Sequence, residues 1–128
     1  MTEAPELDAA LAVMQAHLDA LNARDEEAIA LTLHFPHYRL SGGKMRIWDR
    51  PGVYFEDFRK RAGEEWGYTK WGELSPLQIS SEKVHLSVQV DRYRADGLPL
   101  TSFKSLWVIA RIDDVWAAQL RSSFASDL

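Results

Sequence analysis

The chain has 128 residues, 46% hydrophobic and 11% aromatic, which suits one domain over 1–128 that folds without covalent staples. Its net charge of −4 argues against nucleic acid as a partner, and the absence of cysteine excludes disulfides, thiolate zinc sites and cysteine nucleophiles. No apolar run approaches the ~20 residues that span a bilayer, and the opening MTEAPELDAAL has no basic or apolar leader region, so a cytoplasmic protein without a membrane partner is expected.

Leu7, Leu11, Met14, Leu18 and Leu21 recur at helical spacing, with Pro5 suited to the first turn. NARD breaks that pattern, and Asp25 can cap a second helix, carried by Ala28, Ile29, Leu31 and Leu33 as far as Pro36. HYRLSGGKMRIW then reads as a hairpin turning at Gly42-Gly43. RPGVYFEDFRKRAGEEW reads as a third helix with Gly63 as its C-cap. Its RKR cluster at 59–61 is compensated by Glu64 and Glu65, the pattern of a solvated helix face.

The remainder is strand. Pro76 inside YTKWGELSPLQISS implies an edge strand or a bulge. KVHLSVQVDRY alternates, Asp96-Gly97 is a turn, and SFKSLWVIARI and VWAAQLRSSF meet at Asp113-Asp114. Helices early and consecutive hairpins late predict an α+β fold with an antiparallel sheet.

In this order, three stretches, LDALNARDEEAIALTL, FPHYRL and DDVWAAQLRSSFA, resemble the nuclear transport factor 2-like superfamily, in particular its polyketide-cyclase-like (SnoaL-like) branch. The resemblance covers nearly the whole chain. It implies a cone, a curved antiparallel sheet wrapped around three helices, with a pocket at the wide end and dimers through the convex sheet face. Relatives include dehydratases, cyclases, epoxide hydrolases and isomerases, beside binding and oligomerisation domains without chemistry, so the fold alone does not assign a function. Many relatives carry an aspartate directly after the junction proline. Here that position is His37.

His37, Arg39 and Ser41 share one face of the first strand. His37 is a candidate general base near neutral pH, against a junction histidine that bonds backbone or water. His34, in the last turn of the expected second helix, suits a capping or surface role. A metal site built from His34 and His37 would need a third ligand by tertiary chance, and neither metal nor cofactor is expected. Val84, Leu86, Val88 and Val90 form an apolar face that Arg92 continues. A buried Arg92 would need a carboxylate or a polar ligand. His85, Ser87, Gln89, Asp91 and Tyr93 form the opposite face, turned to water, a partner subunit or a pocket. Trp116, Ala118, Leu120, Ser122 and Phe124 form a core stripe on the last strand, with Arg121 alternating away. Trp48 and Trp71 are candidates to line a cavity for a planar ligand, with Arg92 or Tyr93 polarising a carbonyl. The expected function is a small-molecule pocket protein, in the enzymatic case a cofactor-free lyase, cyclase or isomerase. The alternative is a non-catalytic ligand-binding or dimerisation domain. The expected partners are a small apolar or planar molecule and a second copy of the chain.

Overall fold

The computed structural model describes residues 4–125. The elements run α1 (Pro5–Asn22), α2 (Glu26–Ala30), β1 (Leu33–Ser41), β2 (Lys44–Trp48), α3 (Tyr54–Ala62), β3 (Tyr68–Ile79), β4 (Lys83–Tyr93), β5 (Pro99–Ile112) and β6 (Val115–Ser123). The strands form one six-stranded sheet in the order β2-β1-β6-β5-β4-β3. The expected α+β fold is present, with one difference in the sheet. The β1–β6 pair is parallel, so the sheet is mixed. A parallel pair arises because β1 and β6 are far apart in sequence and no hairpin constrains their direction.

Local chemistry accounts for most of these elements. Pro5 opens α1, and the Asp25 side chain accepts a hydrogen bond from the Ala28 N–H to cap α2. Gly42 and Gly43 have φ of 58° and 77°, as the β1–β2 turn requires. Asp113 and Asp114 take the same left-handed region between β5 and β6, a conformation that aspartate tolerates better than most residues. β3 is an edge strand, and its pairing with β4 shifts register at Pro76/Gln78, where a missing N–H does least harm.

Four expectations are corrected. The second helix does not reach Pro36. It ends at Ala30, and Leu33 to Pro36 already belong to β1, so His34 lies on a strand and bonds the Ala110 carbonyl (2.8 Å). Backbone pairing wins over the apolar periodicity here: the Ala118 N–H bonds the Thr32 carbonyl, and Leu33 pairs with Ala118. Pro36 falls between Leu33 and Tyr38, where the β1–β6 register shifts and no ladder donor is needed.

The buried residues of α1 are Ala10, Met14, His17, Ala20 and Leu21, while Leu11 is exposed. The spacing is helical, but the stripe is turned so that a histidine takes a core position. On β6, Leu120 and Phe124 are exposed, and Arg121 and Ser123 are buried. Ala118 pairs with Ile109 and Leu120 with Val108, so Gln119 is an extra residue in β6. A bulge of this kind reverses the alternation beyond it. Finally, the RKR cluster is not a solvated face throughout: Arg59 and Arg61 are half-buried, Arg59 against Trp66 and Arg61 turned inward toward Trp48, Tyr54 and Phe58.

Candidate functional site

A cavity lies between α1, α3 and the inner face of the sheet. The helices contribute His17 and Leu21 from α1, and Tyr54, Phe58 and Arg61 from α3. The sheet contributes Arg39, Thr69, Trp71, Val90, Arg92, Phe103, Ser105, Trp107, Arg121 and Ser123. Its volume is ≈ 30 Å³, room for a compact polar group or a small number of waters. A wider groove of ≈ 570 Å³ opens beside it and shares Arg61, Arg92 and Phe103 with it.

Four of the lining residues are arginines, and no Asp or Glu lines the cavity among the described residues. Arg39, Arg92 and Arg121 are 2%, 5% and 8% exposed. The guanidinium groups lie against aromatic faces, which replace part of their hydration. Arg121 sits 4.8 Å from the Trp107 ring centre and 5.3 Å from that of Tyr54. Arg92 sits 4.8 Å from Phe103 and 5.3 Å from Phe58. Burial, together with the charges of Arg61, Arg39 and Arg92, lowers the pKa of Arg121 to about 9, against a smaller opposing effect of Tyr54. Arg121 therefore stays cationic at neutral pH, and its buried Nε has no hydrogen-bond partner.

Two buried histidines flank this cluster. His17 Nδ1 lies 2.8 Å from Thr32 Oγ1. The Thr32 hydroxyl also lies 2.7 Å from the Ile29 carbonyl, which accepts the Thr32 backbone N–H as well, and when the hydroxyl donates there it accepts from His17. In that arrangement His17 carries its proton on Nδ1 and keeps the Nε2 lone pair free. Burial, then the charge of Arg121, holds its pKa well below 6.5, so the ring is neutral at physiological pH. His37 Nδ1 donates to the Ala118 carbonyl (3.0 Å), and its Nε2 is buried without a partner. Burial and Arg121 lower its pKa to about 3, although the bond to Ala118 works in the opposite sense.

The structure brings two of the five sequence candidates to the cavity wall, Trp71 and Arg92. The Trp71 indole N–H also donates to the Met14 carbonyl (3.1 Å), tying β3 to α1. His37 and Trp48 are not lining residues. They pack against Tyr54, at ring separations of 5.9 and 5.0 Å, and Trp48 donates to Asp57 (2.8 Å). Tyr93 lies on the opposite face of β4 from Arg92, stacked on Tyr68 at 5.0 Å. Asp91, on that same outer face, accepts from Gln89 and Ser102.

The sequence reading missed His17 and placed Arg121 outside the core. His17 is three residues from Met14 and four from Leu21, a spacing that was open to view in the sequence. Arg121 carried no such signal, because its direction depends on the bulge at Gln119. Among the described residues, no three His, Cys, Asp or Glu side chains gather to hold a metal ion, and no helix is long and apolar enough to cross a membrane.

No protein-family model and no curated protein matches the sequence. Solved structures do match the fold. An NTF2-like protein of unknown function from Shewanella oneidensis MR-1 superposes with a TM-score of 0.69 at 17% identity, covering 92% of this chain and 98% of its own. A protein with a cystatin-like fold from Nostoc punctiforme superposes with a TM-score of 0.75 at 10% identity, covering 98% and 94%. A ketosteroid isomerase-like protein from Erwinia carotovora atroseptica superposes with a TM-score of 0.71 at 16% identity over the full length of both chains. The chain thus has the NTF2-like, or cystatin-like, fold.

Proposed function

We propose that the cavity of this NTF2-like fold is a binding site for a small organic anion with a planar body. The observation that carries the reading is Arg121, a buried cation with a bare Nε in the cavity wall, set between two aromatic faces. A guanidinium in that setting suits a carboxylate or enolate oxygen, to which it can offer charge-assisted hydrogen bonds. The small inner volume suits the anionic head, and the adjoining groove suits the body, beside Phe103 and Leu100. The finer reading is cofactor-free acid–base chemistry within the polyketide-cyclase-like branch. It is supported by the neutral imidazoles beside the arginine cluster and by the resemblance of FPHYRL and DDVWAAQLRSSFA to that branch.

Titration with benzoylformate, followed by the fluorescence of the tryptophans at the cavity, tests the reading. Saturable binding is expected, with the carboxylate at least ~10-fold tighter than its neutral amide and ~30-fold or more weakened by Arg121→Met, the worth of one buried charge-assisted bond. Equal affinity for acid and amide would overturn it.

A second reading, dimerisation through the outer sheet face, has its own support. Leu40, Met45, Ile47 and Leu120 are 41%, 56%, 54% and 36% exposed. The pairings Leu40–Met45, Tyr38–Ile47 and Tyr38–Leu120 make them one contiguous surface across β2, β1 and β6. A patch of this kind suits a second copy of the chain. Light scattering should give twice the chain mass, and Ile47→Lys should return the monomer. A monomeric parent protein would exclude it.

A further inference from the structure

We infer that His17 is the general base of the cavity, removing a proton from the carbon beside the carbonyl of a planar 2-oxo acid held against Arg121. The inference rests on the anion-binding reading above and adds to it a reaction, a substrate class and a residue.

A base needs a lone pair in the right place, a fixed tautomer and access to substrate. His17 meets all three requirements. With the Thr32 hydroxyl donating to the Ile29 carbonyl, His17 donates from Nδ1 and keeps the Nε2 lone pair, the tautomer that a base at this place needs. With Nδ1 turned to Thr32, the far edge of the ring, carrying Nε2, is the one left for the cavity that His17 lines. The ring is neutral at physiological pH, so the lone pair is available. Thr32 plays the part that a carbonyl or carboxylate plays behind other basic histidines: it fixes the tautomer and the ring plane.

The electrophilic partner stands beside it. His17 and Arg121 share two neighbours, Trp107 and Tyr54. The His17 ring lies 5.1 and 6.0 Å from theirs, and the Arg121 guanidinium 4.8 and 5.3 Å. Nε2 takes the proton, the C–H electron pair becomes the C=C bond of the enolate, and the carbonyl π pair moves onto oxygen beside Arg121. The imidazolium then returns a proton to carbon, which restores the neutral ring and the ketone. No oxidant, reductant or cofactor enters the balance. Positive charge around His17 disfavours the imidazolium, but the enolate formed in the same step offsets it. Charge developing only in the transition state is where such a cluster assists most.

Phenylpyruvate in D2O is the test. Proton NMR follows loss of its C3 hydrogens, and benzoylformate, which has no hydrogen to lose, reports binding alone. The wild-type protein should exchange the C3 hydrogens faster than buffer does. His17→Asn keeps an N–H for Thr32 and lacks the base. It should lower the exchange by ~100-fold or more, with benzoylformate affinity within ~3-fold of wild type. Thr32→Ser should keep exchange and Thr32→Val should lower it ~10-fold, the mark of a hydroxyl that orients the ring. Undiminished exchange in His17→Asn, or equal rates in the two Thr32 variants, overturns the assignment, and the Thr32 pair decides it should the asparagine variant not fold. Binding of benzoylformate with no exchange of phenylpyruvate overturns the base and leaves anion binding standing. Binding of neither removes both.

Discussion

His17 and His37 are two buried neutral imidazoles with a similar local arrangement: each is bonded at Nδ1, to the Thr32 hydroxyl or to the Ala118 carbonyl, and Nε2 is left for what lies beyond. They differ in what lies beyond Nε2. His17, on α1, forms part of the cavity wall. His37, on β1, packs against Trp48 and Tyr54 outside that wall. Burial lowers the pKa of both, so a shifted pKa alone does not tell a base from a structural residue. Access does. The residue after the junction proline attracts attention in the sequence, yet the histidine in the middle of a helix faces the open space.

The largest effect that would sharpen this comparison is on acid stability. Above pH 6.5 both rings are neutral in the folded and the unfolded chain, and the stability is full. As the pH falls below 6.5, the unfolded chain takes up protons that the folded chain refuses. Stability is therefore lost progressively until the folded His37 protonates near pH 3. For His37 this amounts to a loss on the order of 5 kcal/mol across the window. Urea melts between pH 7 and 4 should show it, and His37→Asn should flatten the slope. An unchanged slope in that variant would mean that His37 is more open to water than its packing indicates.

A middle-sized effect separates the two Nδ1 partners. Thr32→Val removes the partner of His17 Nδ1 and leaves that buried group unsatisfied, while the Ile29 carbonyl keeps the backbone N–H of residue 32. A loss of about 1–3 kcal/mol in urea melts is expected at pH 7. No loss would mean that water takes the place of the hydroxyl.

The smallest effect concerns His37 itself. In His37→Asn the side-chain amide can still donate to the Ala118 carbonyl, so stability at pH 7 should fall by only about 1 kcal/mol. Phenylpyruvate exchange should stay within ~3-fold of wild type, because His37 does not line the cavity. A loss of ~100-fold, the range of a missing general base, would reverse the roles of the two histidines.

Several elements that place the site could be read directly from residues. The alternation Val84, Leu86, Val88, Val90 ends on Arg92, and the structure buries Arg92 on that same face, because nothing interrupts the pairing of β4 with β5 before its last residue. Pro76 marks an edge strand, and the Gly42-Gly43 pair marks the β1–β2 turn. The NTF2-like order of helices and strands was also legible, since it depends on turns and periodicity within short windows. Helix α1 was legible as a helix but not in its exact rotation. Leucines and alanines occur around much of its circumference, so which residues face inward depends on the sheet beneath.

What the sequence by itself determined was the set of elements, their order and the inward face of any uninterrupted strand, because these follow from steric and hydrophobic patterns a few residues long. Tertiary structure alone decided the site. The register shift at Gln119 sends Arg121 inward and Leu120 outward. The pairing of Leu33 with Ala118 ends α2 early and brings Thr32 within reach of His17. A bulge is a property of two strands fitted together, and a histidine ring here is held by a hydroxyl fifteen residues away. Neither is encoded in a local window, because each is settled only when distant backbone groups compete for the same hydrogen bonds.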